Sequence, residues 1–388
     1  MYTLTTKYFP DKHTGINICE VLSDVLKEWD ITREQVHIIV HDNAANMLLG
    51  LEYMETLHLS CFLHTLQLVI EDSIFSQRSV KDIIAKCHQI VGHFSHSASA
   101  CEKLAQLQEA NGLPVHKLIQ DVKTRWNSKL QMLERVFEQR VAISAYSVDG
   151  NIPVISSYGY NLIENVIRVL KPFEEFTTLC SSDKEIASSI IPAVSTLKIY
   201  LGKQNKDAGV QTLKSELEMS LNRRFGGSVN NIDLNSFELK TATFLDPRYK
   251  EKFFSEAAKQ EIIKGCISEL IALEEEQALG TEEHNEEDAV TGTPTPTPAA
   301  ASLTQDIHED IWACFEEAKK SGETTSDSDT SNASPTTDNM NRKMSHLMSR
   351  LFNSNLFIIT RPTLSLNNPF KLQSKCSSIV LTSAKKDT

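Results

Sequence analysis

The feature that most constrains the fold is a long run of helical periodicity in the middle of the chain. Between about Ser79 and Cys266, apolar residues recur at steps of three and four, which places them on one face of each helix. We therefore predict a helical domain over residues 79–270. Within it, Pro172 should end or kink its helix, because proline has no amide hydrogen to donate to the preceding turn. The segments with this spacing are VKDIIAKCHQIVGHF, KLIQDV, LQMLERVFEQRVAISAY, YNLIENVIRVLKPFEEFTTLC, IIPAVSTLKIYL and LKSELEMSLNRRF.

The first 78 residues combine helix and strand patterns. Ile16 to Trp29 has the apolar spacing of an amphipathic helix, and VHIIV at residues 36–40 resembles a strand that is covered on both faces. HLSCF, from His58 to Phe62, could form a second short strand before the long helix that begins with HTLQLVIEDSIF. This alternation predicts an α/β layer with some parallel pairing over residues 1–78. The expected fold class is therefore α/β plus all-α.

The composition changes after Leu273. Stretches rich in Thr, Ser, Pro and acids are too poor in large apolar residues to offset the entropy of ordering, so residues 271–345 are predicted to be mostly disordered. Within them, DIHEDIWACFEEA at residues 306–318 predicts a short amphipathic helix that docks on the body of the protein or on a partner. The tail over residues 346–388 shows no sustained periodicity and receives no fold prediction.

Charge says little about the partners of the folded part. The formal net charge is -12, but eight carboxylates in one acidic run account for most of it. Outside that run the chain is close to neutral, so the total charge neither favours nor excludes nucleic acid. The eight residues are Glu274, Glu275, Glu276, Glu282, Glu283, Glu286, Glu287 and Asp288.

Compartment signals point to the inside of the cell. No apolar run approaches the roughly 20 residues that cross a bilayer, and the N-terminus has neither a basic nor an apolar leader region. The eight cysteines include no CxxC pair, which suits a reducing compartment with free thiols. We expect a soluble protein without a membrane partner.

Asp42 lies where the apolar run VHIIV gives way to small and amide residues in VHIIVHDNAANM. A carboxylate at the end of a buried strand can hold Mg²⁺, since ligands of open α/β sheets bind at that edge. Two-metal chemistry, however, requires several converging carboxylates, and a single acid does not form such a site. The residues alone favour the other interpretation, in which Asp42 or Asn43 caps the helix that follows.

Cys61 and His64 are spaced three residues apart in CFLH. Together with His93 and His96 they could be written as a zinc set, but the intervening segment is far longer than that of a zinc finger and is itself helical. The residues favour a buried thiol and a core histidine. We therefore predict no bound metal.

The stretch DVKTRWNS brings two cations next to an indole. Lys123 and Arg125 could contact phosphates while Trp126 stacks on an unpaired base, which would make these residues a nucleic-acid-binding site. The alternative, favoured by the spacing, is that Trp126 anchors a helix in the core and Arg125 pairs with an acid. Further along, TFLDPRYK is interpreted as a strand or a turn closed by Asp246 and Pro247.

The common enzyme signatures are missing. The sequence contains no GxxxxGK[ST] or GxGxxG nucleotide loop, no GxSxG elbow and no HExxH pair. These observations give no support to a small-molecule substrate.

Taken in order, six blocks of the chain resemble those of hAT-superfamily transposases, in particular their domesticated relatives, the BED-type zinc finger proteins of animal genomes. The resemblance runs from about Thr3 to Phe254, and its specificity comes from the joint order of the blocks. These blocks are HTGINICEVLSDVLKEWDI, VHIIVHDNAANM, CFLHTLQLVIED, LIQDVKTRWNSKLQMLERVFEQR, LKPFEEFTTLCSSDKEIASSIIPAVSTL and TFLDPRYKEKFF.

The resemblance implies a ribonuclease-H-like α/β core interrupted by a large helical insertion domain. It implies that Asp42 occupies the position of the second of three catalytic acids, which hold divalent metal for DNA strand cleavage and transfer. Asn46 of the same block and the pair Cys61 and His64 would be structural motif residues near that site. Trp126 would belong to the insertion domain and take part in handling DNA.

The sequence also departs from the family pattern. The blocks expected to carry the first and third acids, the BED finger and the dimerisation region have no match here. The resemblance therefore implies an incomplete ribonuclease-H-like core, an incomplete Mg²⁺ site with no cofactor, and Asp42 as a relic acid.

The expected function is that of a domesticated, catalytically inactive nuclear protein. It would bind DNA, nuclear proteins or both, and would take part in transcription regulation. A protein-interaction scaffold without DNA binding and a non-functional truncated product are the alternatives, and an active DNA transposase is less favoured.

Overall fold

Helices dominate the part of the chain that the computed structural model describes. This part comprises residues 2–9, 11–122, 125–149, 151–181, 187–203, 209–226, 233–278, 304–320, 356–359, 361–362 and 379–383. The chain divides into two units. The first consists of Met1–Ile186, Leu201–Leu234 and Ser349–Thr388, and the second of Ala187–Tyr200 and Asn235–Met348.

The first unit begins with the α/β part and continues into the helical part. Its strands are β1 (Tyr2–Lys7), β2 (Val36–His41), β3 (His58–Ser60), β4 (Leu356–Ile359), β5 (Arg361–Pro362) and β6 (Ile379–Ser383). Its helices are α1 (Gly15–Glu28), α2 (Ala45–Met54), α3 (Phe62–Ile74), α4 (Arg78–Ser95), α5 (Ala98–Ala110), α6 (Trp126–Glu138), α7 (Arg140–Asp149), α8 (Ser157–Cys180) and α10 (Gln211–Phe225).

Strand β2 lies between two parallel neighbours. Ile39 pairs with His58 of β3 on one side and with Ile358 of β4 on the other. This parallel pairing agrees with the prediction from the β-branched run VHIIV. A second sheet has the order β1-β6-β5 and is antiparallel. The sequence did not predict β1, nor the strands that the tail supplies to both sheets.

Helices α1 and α2 cover the α/β part with a close contact. A Cβ atom at Gly50 would lie 2.7 Å from the side chain of Ile18, so only glycine fits there. Leu22, Val25, Leu51 and Met54 fill this core and are almost completely buried. Apolar residues at helical spacing form a stripe along each of these helices, and the two stripes pack against each other over the sheet.

The helical part of this unit is built on the predicted periodicity. Its core includes the buried side chains of Leu66 on α3, Ile84 on α4, Leu133 on α6 and Val166 on α8. Helix α8 continues through Pro172, so the proline does not end its helix, and the predicted kink stays a prediction. Its neighbours Leu170 and Phe173 are buried, and their packing offsets the missing hydrogen bond.

The second unit contains α11 (Phe237–Leu245), α12 (Glu256–Ala278), α13 (Thr304–Lys320) and most of α9 (Ile190–Gly202). Helix α12 continues past residue 270, where the predicted linker begins. Helix α13 includes the segment predicted at residues 306–318, and it packs on the 3-10 turn Lys250–Phe253. The remaining residues of the predicted disordered segment lie outside the described part.

The segment TFLDPRYK forms the end of a helix followed by a turn. Residues 243–245 belong to α11, so the strand interpretation is wrong. Asp246 begins the turn, and its carboxylate accepts hydrogen bonds from Ser188 Oγ at 2.6 Å and from Arg248 Nη2 at 2.8 Å. Burial alone would raise the pKa of Asp246, but the hydrogen bonds from Arg248 and Ser188 hold it below its ordinary value.

Among the described helices, none has the length and apolar character needed to cross a membrane. Seven cysteines in the described residues are free thiols.

Candidate functional site

Asp42 lies directly after β2, at the carboxyl end of the parallel strands. Helix α2 begins at Ala45, and its N-cap is Ala44, which has no side chain able to cap. The Asp42 Oδ1 atom instead accepts a hydrogen bond from the Ala44 amide at 3.3 Å, so the carboxylate stabilises the turn before the helix. The prediction that Asp42 or Asn43 is the helix cap is therefore wrong, because Ala44 occupies the N-cap position and the Asp42 carboxylate bonds to the amide of that residue.

A pair of histidines lies next to this turn, and no sequence pattern predicted it. His41 is fully buried, and its Nδ1 atom is hydrogen-bonded to the Asp42 carbonyl oxygen. Since a carbonyl can only accept, Nδ1 carries the proton and the Nε2 atom of His41 is left as an acceptor. His58 Nδ1 lies 3.1 Å from that Nε2 and is therefore the donor.

Burial determines the charge of this pair. It lowers the pKa of His41 to about 4, although the hydrogen bond to the Asp42 carbonyl acts in the opposite direction. Burial also lowers the pKa of His58, which is only partly buried. Both rings are therefore neutral at pH 7, and they fix the backbone at Asp42 through hydrogen bonds.

The amide residues of the DNAANM block connect this turn to its surroundings. Asn43 Nδ2 donates to Thr65 Oγ1 at 2.8 Å, and Thr65 Oγ1 donates to the Cys61 carbonyl at 3.0 Å. Asn46 Nδ2 donates to the His13 carbonyl at 2.9 Å. The block therefore holds the start of α3 and the segment before α1 in place around Asp42.

Cys61 and His64 both lie at the start of α3. Cys61 is its N-cap residue and donates its amide to the His41 carbonyl at 2.6 Å, while His64 follows in the first turn and is partly exposed. His93, which the zinc set would need, is hydrogen-bonded to the Tyr146 hydroxyl at 2.9 Å.

The acids of the described residues do not fit the two-ion Mg²⁺ site that the resemblance implies. Such a site requires several carboxylates around ions roughly 4 Å apart. Asp42 lies at the right edge of the sheet, with the buried Asn43 Oδ1 as a neighbouring oxygen. No three His, Cys, Asp or Glu side chains converge anywhere within the described ranges.

The candidate nucleic-acid-binding residues have very different environments. Trp126 is the first residue of α6 and is 3% exposed, so its indole packs in the core as the anchor interpretation expects. It is not available to stack on a base in this conformation. Arg125 is the exposed N-cap residue of the same helix, and Lys123 lies outside the described residues.

The segment before this block, at residues 113–122, is irregular but fixed by hydrogen bonds, so the prediction that KLIQDV is helical is wrong. Three of its carbonyls accept hydrogen bonds from helix side chains. The donors are Gln139 to Pro114 at 3.0 Å, Gln108 to His116 at 2.9 Å and Arg135 to Lys117 at 2.6 Å. Asp121 follows, with His88 Nε2 at 2.8 Å from its carboxylate. These contacts leave the side chains of Lys117 and Arg125 exposed on a fixed backbone.

Comparison with known proteins identifies a domain family that matches part of this chain. Residues 59–186 match the family model of the ZBED1 RNase-like helical domain. The chain is 32% identical over 313 residues to zinc finger BED domain-containing protein 4 of Homo sapiens, covering 79% of this chain and 25% of that protein. It is 28% identical over 260 residues to zinc finger BED domain-containing protein 6 of Homo sapiens, covering 65% of this chain and 27% of that protein.

A third relative comes from a fungus. The chain is 24% identical over 283 residues to a protein of Talaromyces stipitatus provisionally named transcriptional regulator tpeD, covering 63% of this chain and 31% of that protein. The chain spans about a quarter of the length of the two human relatives.

The match to the helical-domain model and the similarity to BED-type zinc finger proteins define the class of this protein, which is that of hAT-transposase-derived proteins. Within this class, the chain belongs with the BED-type zinc finger proteins. The resemblance inferred from the six sequence blocks is confirmed.

Proposed function

We propose that this chain is a domesticated, catalytically inactive member of its class that binds DNA in the nucleus and takes part in transcription regulation. The observation that carries the proposal is the state of Asp42. Its carboxylate accepts a hydrogen bond in the turn before α2, and within the described residues no three His, Cys, Asp or Glu side chains form a group that could hold a metal ion. The ribonuclease-H-like character of the α/β part, with β2 between parallel neighbours, is part of the same proposal.

Two further observations support DNA contacts. Lys117 and Arg125 are exposed on a backbone that helix side chains hold in place, and a fixed backbone reduces the entropy lost when phosphates bind. The names of the relatives include zinc finger proteins and a transcriptional regulator.

DNA binding can be tested by fluorescence anisotropy with duplex and single-stranded DNA over a range of salt concentrations. We expect affinity to fall steeply with salt, and Arg125→Ala to weaken it and reduce the slope by about one. Arg78→Ala is the matched control, because Arg78 is exposed on α4, far along the chain from the DVKTRWNS block. Equal effects of the two substitutions would exclude Arg125 from the interface.

Catalytic inactivity can be tested separately with Mg²⁺ or Mn²⁺ and labelled DNA. We expect no nicking or joining by the unaltered chain. Strand cleavage that is lost on Asp42→Ala would overturn this part of the proposal without affecting the DNA-binding part.

The alternative function is a protein-interaction scaffold that does not bind DNA. It is favoured by α13, which carries an exposed tryptophan between acidic residues. A flat salt response in the anisotropy experiment, or no binding, would support the scaffold. A non-functional product would be indicated if the chain showed no cooperative thermal unfolding transition.

A further inference from the structure

One serine hydroxyl joins the start of α6 to the segment that precedes it. Ser128 lies in the first turn of α6, and its Oγ atom accepts a hydrogen bond from the Val122 amide at 2.8 Å. The same hydroxyl donates to the Arg125 carbonyl, with 2.6 Å between the two oxygen atoms. The Arg125 amide donates to the Val122 carbonyl at 2.9 Å. We call these three residues and the hydrogen bonds that join them the α6 junction.

The residues on either side of the α6 junction are anchored in the body of the protein. Trp126, at the start of α6, is buried in the core. Asp121 has a side chain that is 5% exposed, and its carboxylate lies 2.8 Å from His88 Nε2 on α4. Val122 itself is exposed, so the hydrogen bond to Ser128, rather than side-chain packing, holds its backbone.

Arg125 is the exposed cation of the α6 junction. Its backbone is held through its amide and its carbonyl, whereas its guanidinium extends from an exposed residue. Ordering a loose backbone on binding costs conformational entropy, so an arginine whose backbone is already fixed binds a phosphate more tightly. Ser128 can therefore strengthen a phosphate contact without touching the DNA.

We propose that Ser128 is a positioning residue for the DNA contact at Arg125. The inference rests on the proposed function, because it concerns the same phosphate contact. The hydroxyl of Ser128 fixes the Arg125 carbonyl on one side and the Val122 amide on the other, and the guanidinium is presented to a phosphate from this closed junction. Threonine keeps the hydroxyl and alanine removes it, so these two substitutions test the group that the inference requires.

Fluorescence anisotropy with duplex DNA measures the effect on binding. We expect Ser128→Ala to weaken DNA binding about five- to tenfold, because two hydrogen bonds of the junction are lost. The salt slope should stay unchanged, since no phosphate contact is removed, whereas Arg125→Ala reduces it. Ser128→Thr should bind as the unaltered chain does. Ser147→Ala is the matched control and should leave the affinity unchanged, because the Ser147 hydroxyl also donates to a backbone carbonyl, that of Ser144 at 2.7 Å on α7.

A double-mutant cycle distinguishes positioning from a general loss of stability. In an Arg125→Ala background, Ser128→Ala should weaken DNA binding by less than about twofold, because the residue that it positions is gone. Equal losses in both backgrounds, or a Ser128→Ala variant that binds as tightly as the unaltered chain, overturn the inference and leave the proposed DNA binding intact. An unaltered chain that binds no DNA overturns the proposed function and the inference together.

Amide hydrogen exchange tests the α6 junction without DNA. We expect the Val122 amide to exchange about tenfold faster in Ser128→Ala, because it loses its acceptor and the junction opens more often. The amide of Leu133, which is buried in the middle of α6, should exchange at its original rate. An unchanged rate at Val122 would mean that the hydroxyl does not hold the junction, and would overturn the inference.

Discussion

The indole of Trp126 is buried, whereas its neighbour Arg125 is exposed, so two adjacent residues of one motif have separate roles. The aromatic side chain contributes packing between α6 and the helices around it. The cation remains available to a phosphate. The sequence DVKTRWNS suggested a single DNA-binding motif. Because Trp126 is buried and Arg125 is exposed, the first is structural and the second is the candidate DNA contact.

We predict that Trp126→Ala lowers the free energy of unfolding by about 3–5 kcal/mol, because it leaves a large cavity in the core. Arg125→Ala should change it by less than about 0.5 kcal/mol, as for other exposed residues. Urea denaturation at pH 7 measures both values. A small effect of Trp126→Ala would contradict its burial.

The buried His41 predicts a specific dependence of stability on pH. Its folded-state pKa of about 4 lies below the ordinary value of 6.5, so its neutral form stabilises the fold. The contribution is complete above pH 6.5 and is lost as the pH falls towards 4, by up to about 3 kcal/mol. Urea denaturation across this range should show a shallower slope for His41→Gln than for the unaltered chain, whereas His64→Gln should keep the original slope.

Among the larger elements, the turn after α11 depends on one carboxylate. Asp246 accepts hydrogen bonds from Ser188, which precedes α9, and from the Arg248 backbone and guanidinium. It therefore connects two chain segments of the second unit that are distant in sequence. The sequence indicated a turn here from the Asp-Pro pair, but gave no sign of the serine that completes it.

We predict that Asp246→Ala lowers the free energy of unfolding by about 2–3 kcal/mol, since it leaves the buried Ser188 hydroxyl and Arg248 without their acceptor. Glu251→Ala, in the same region but exposed, is the control and should have little effect. Because the pKa of Asp246 is lowered, this contribution is present above its ordinary pKa and is lost only in more acidic solution. Thermal unfolding at pH 7 and pH 3 measures the difference.

Across the whole molecule, the elements that depend on local apolar periodicity could be predicted from the sequence. The pairings between residues that are distant in the chain could not. Apart from KLIQDV, the helices predicted between residues 79 and 270 and strand β2 follow from repeating apolar positions. The pairing of β2 with residues 356–359 and the contact between His41 and His58 do not, because each partner lies elsewhere in the chain. Asp42 was located correctly at a strand end, but its hydrogen bond to Ala44 depends on turn geometry that a sequence pattern does not define.

The charge of the whole chain leads to a prediction for DNA association. Replacing the eight carboxylates of the acidic run, which lie between residues 274 and 288, by amides would change the formal charge from -12 to -4. We expect faster association with DNA at low salt, by several-fold, because long-range repulsion is reduced. Stopped-flow measurements should show the difference shrinking above about 0.5 M salt, where screening limits the field to a few ångströms. A difference that persists at high salt would indicate direct contact instead.

The fixed segment at residues 113–122 has a consequence for how the protein is degraded. Its carbonyls at Pro114, His116 and Lys117 each accept from a single side chain, on α5, on α6 or at the C-cap of α6, and none of the three belongs to a strand. Local opening therefore requires the loss of only a few hydrogen bonds, each worth about 1 kcal/mol. A protease that cleaves after lysine would therefore cut at Lys117 in this locally opened state, before the core unfolds. Loss of the buried Gln139, the C-cap residue of α6, would therefore speed this first cut.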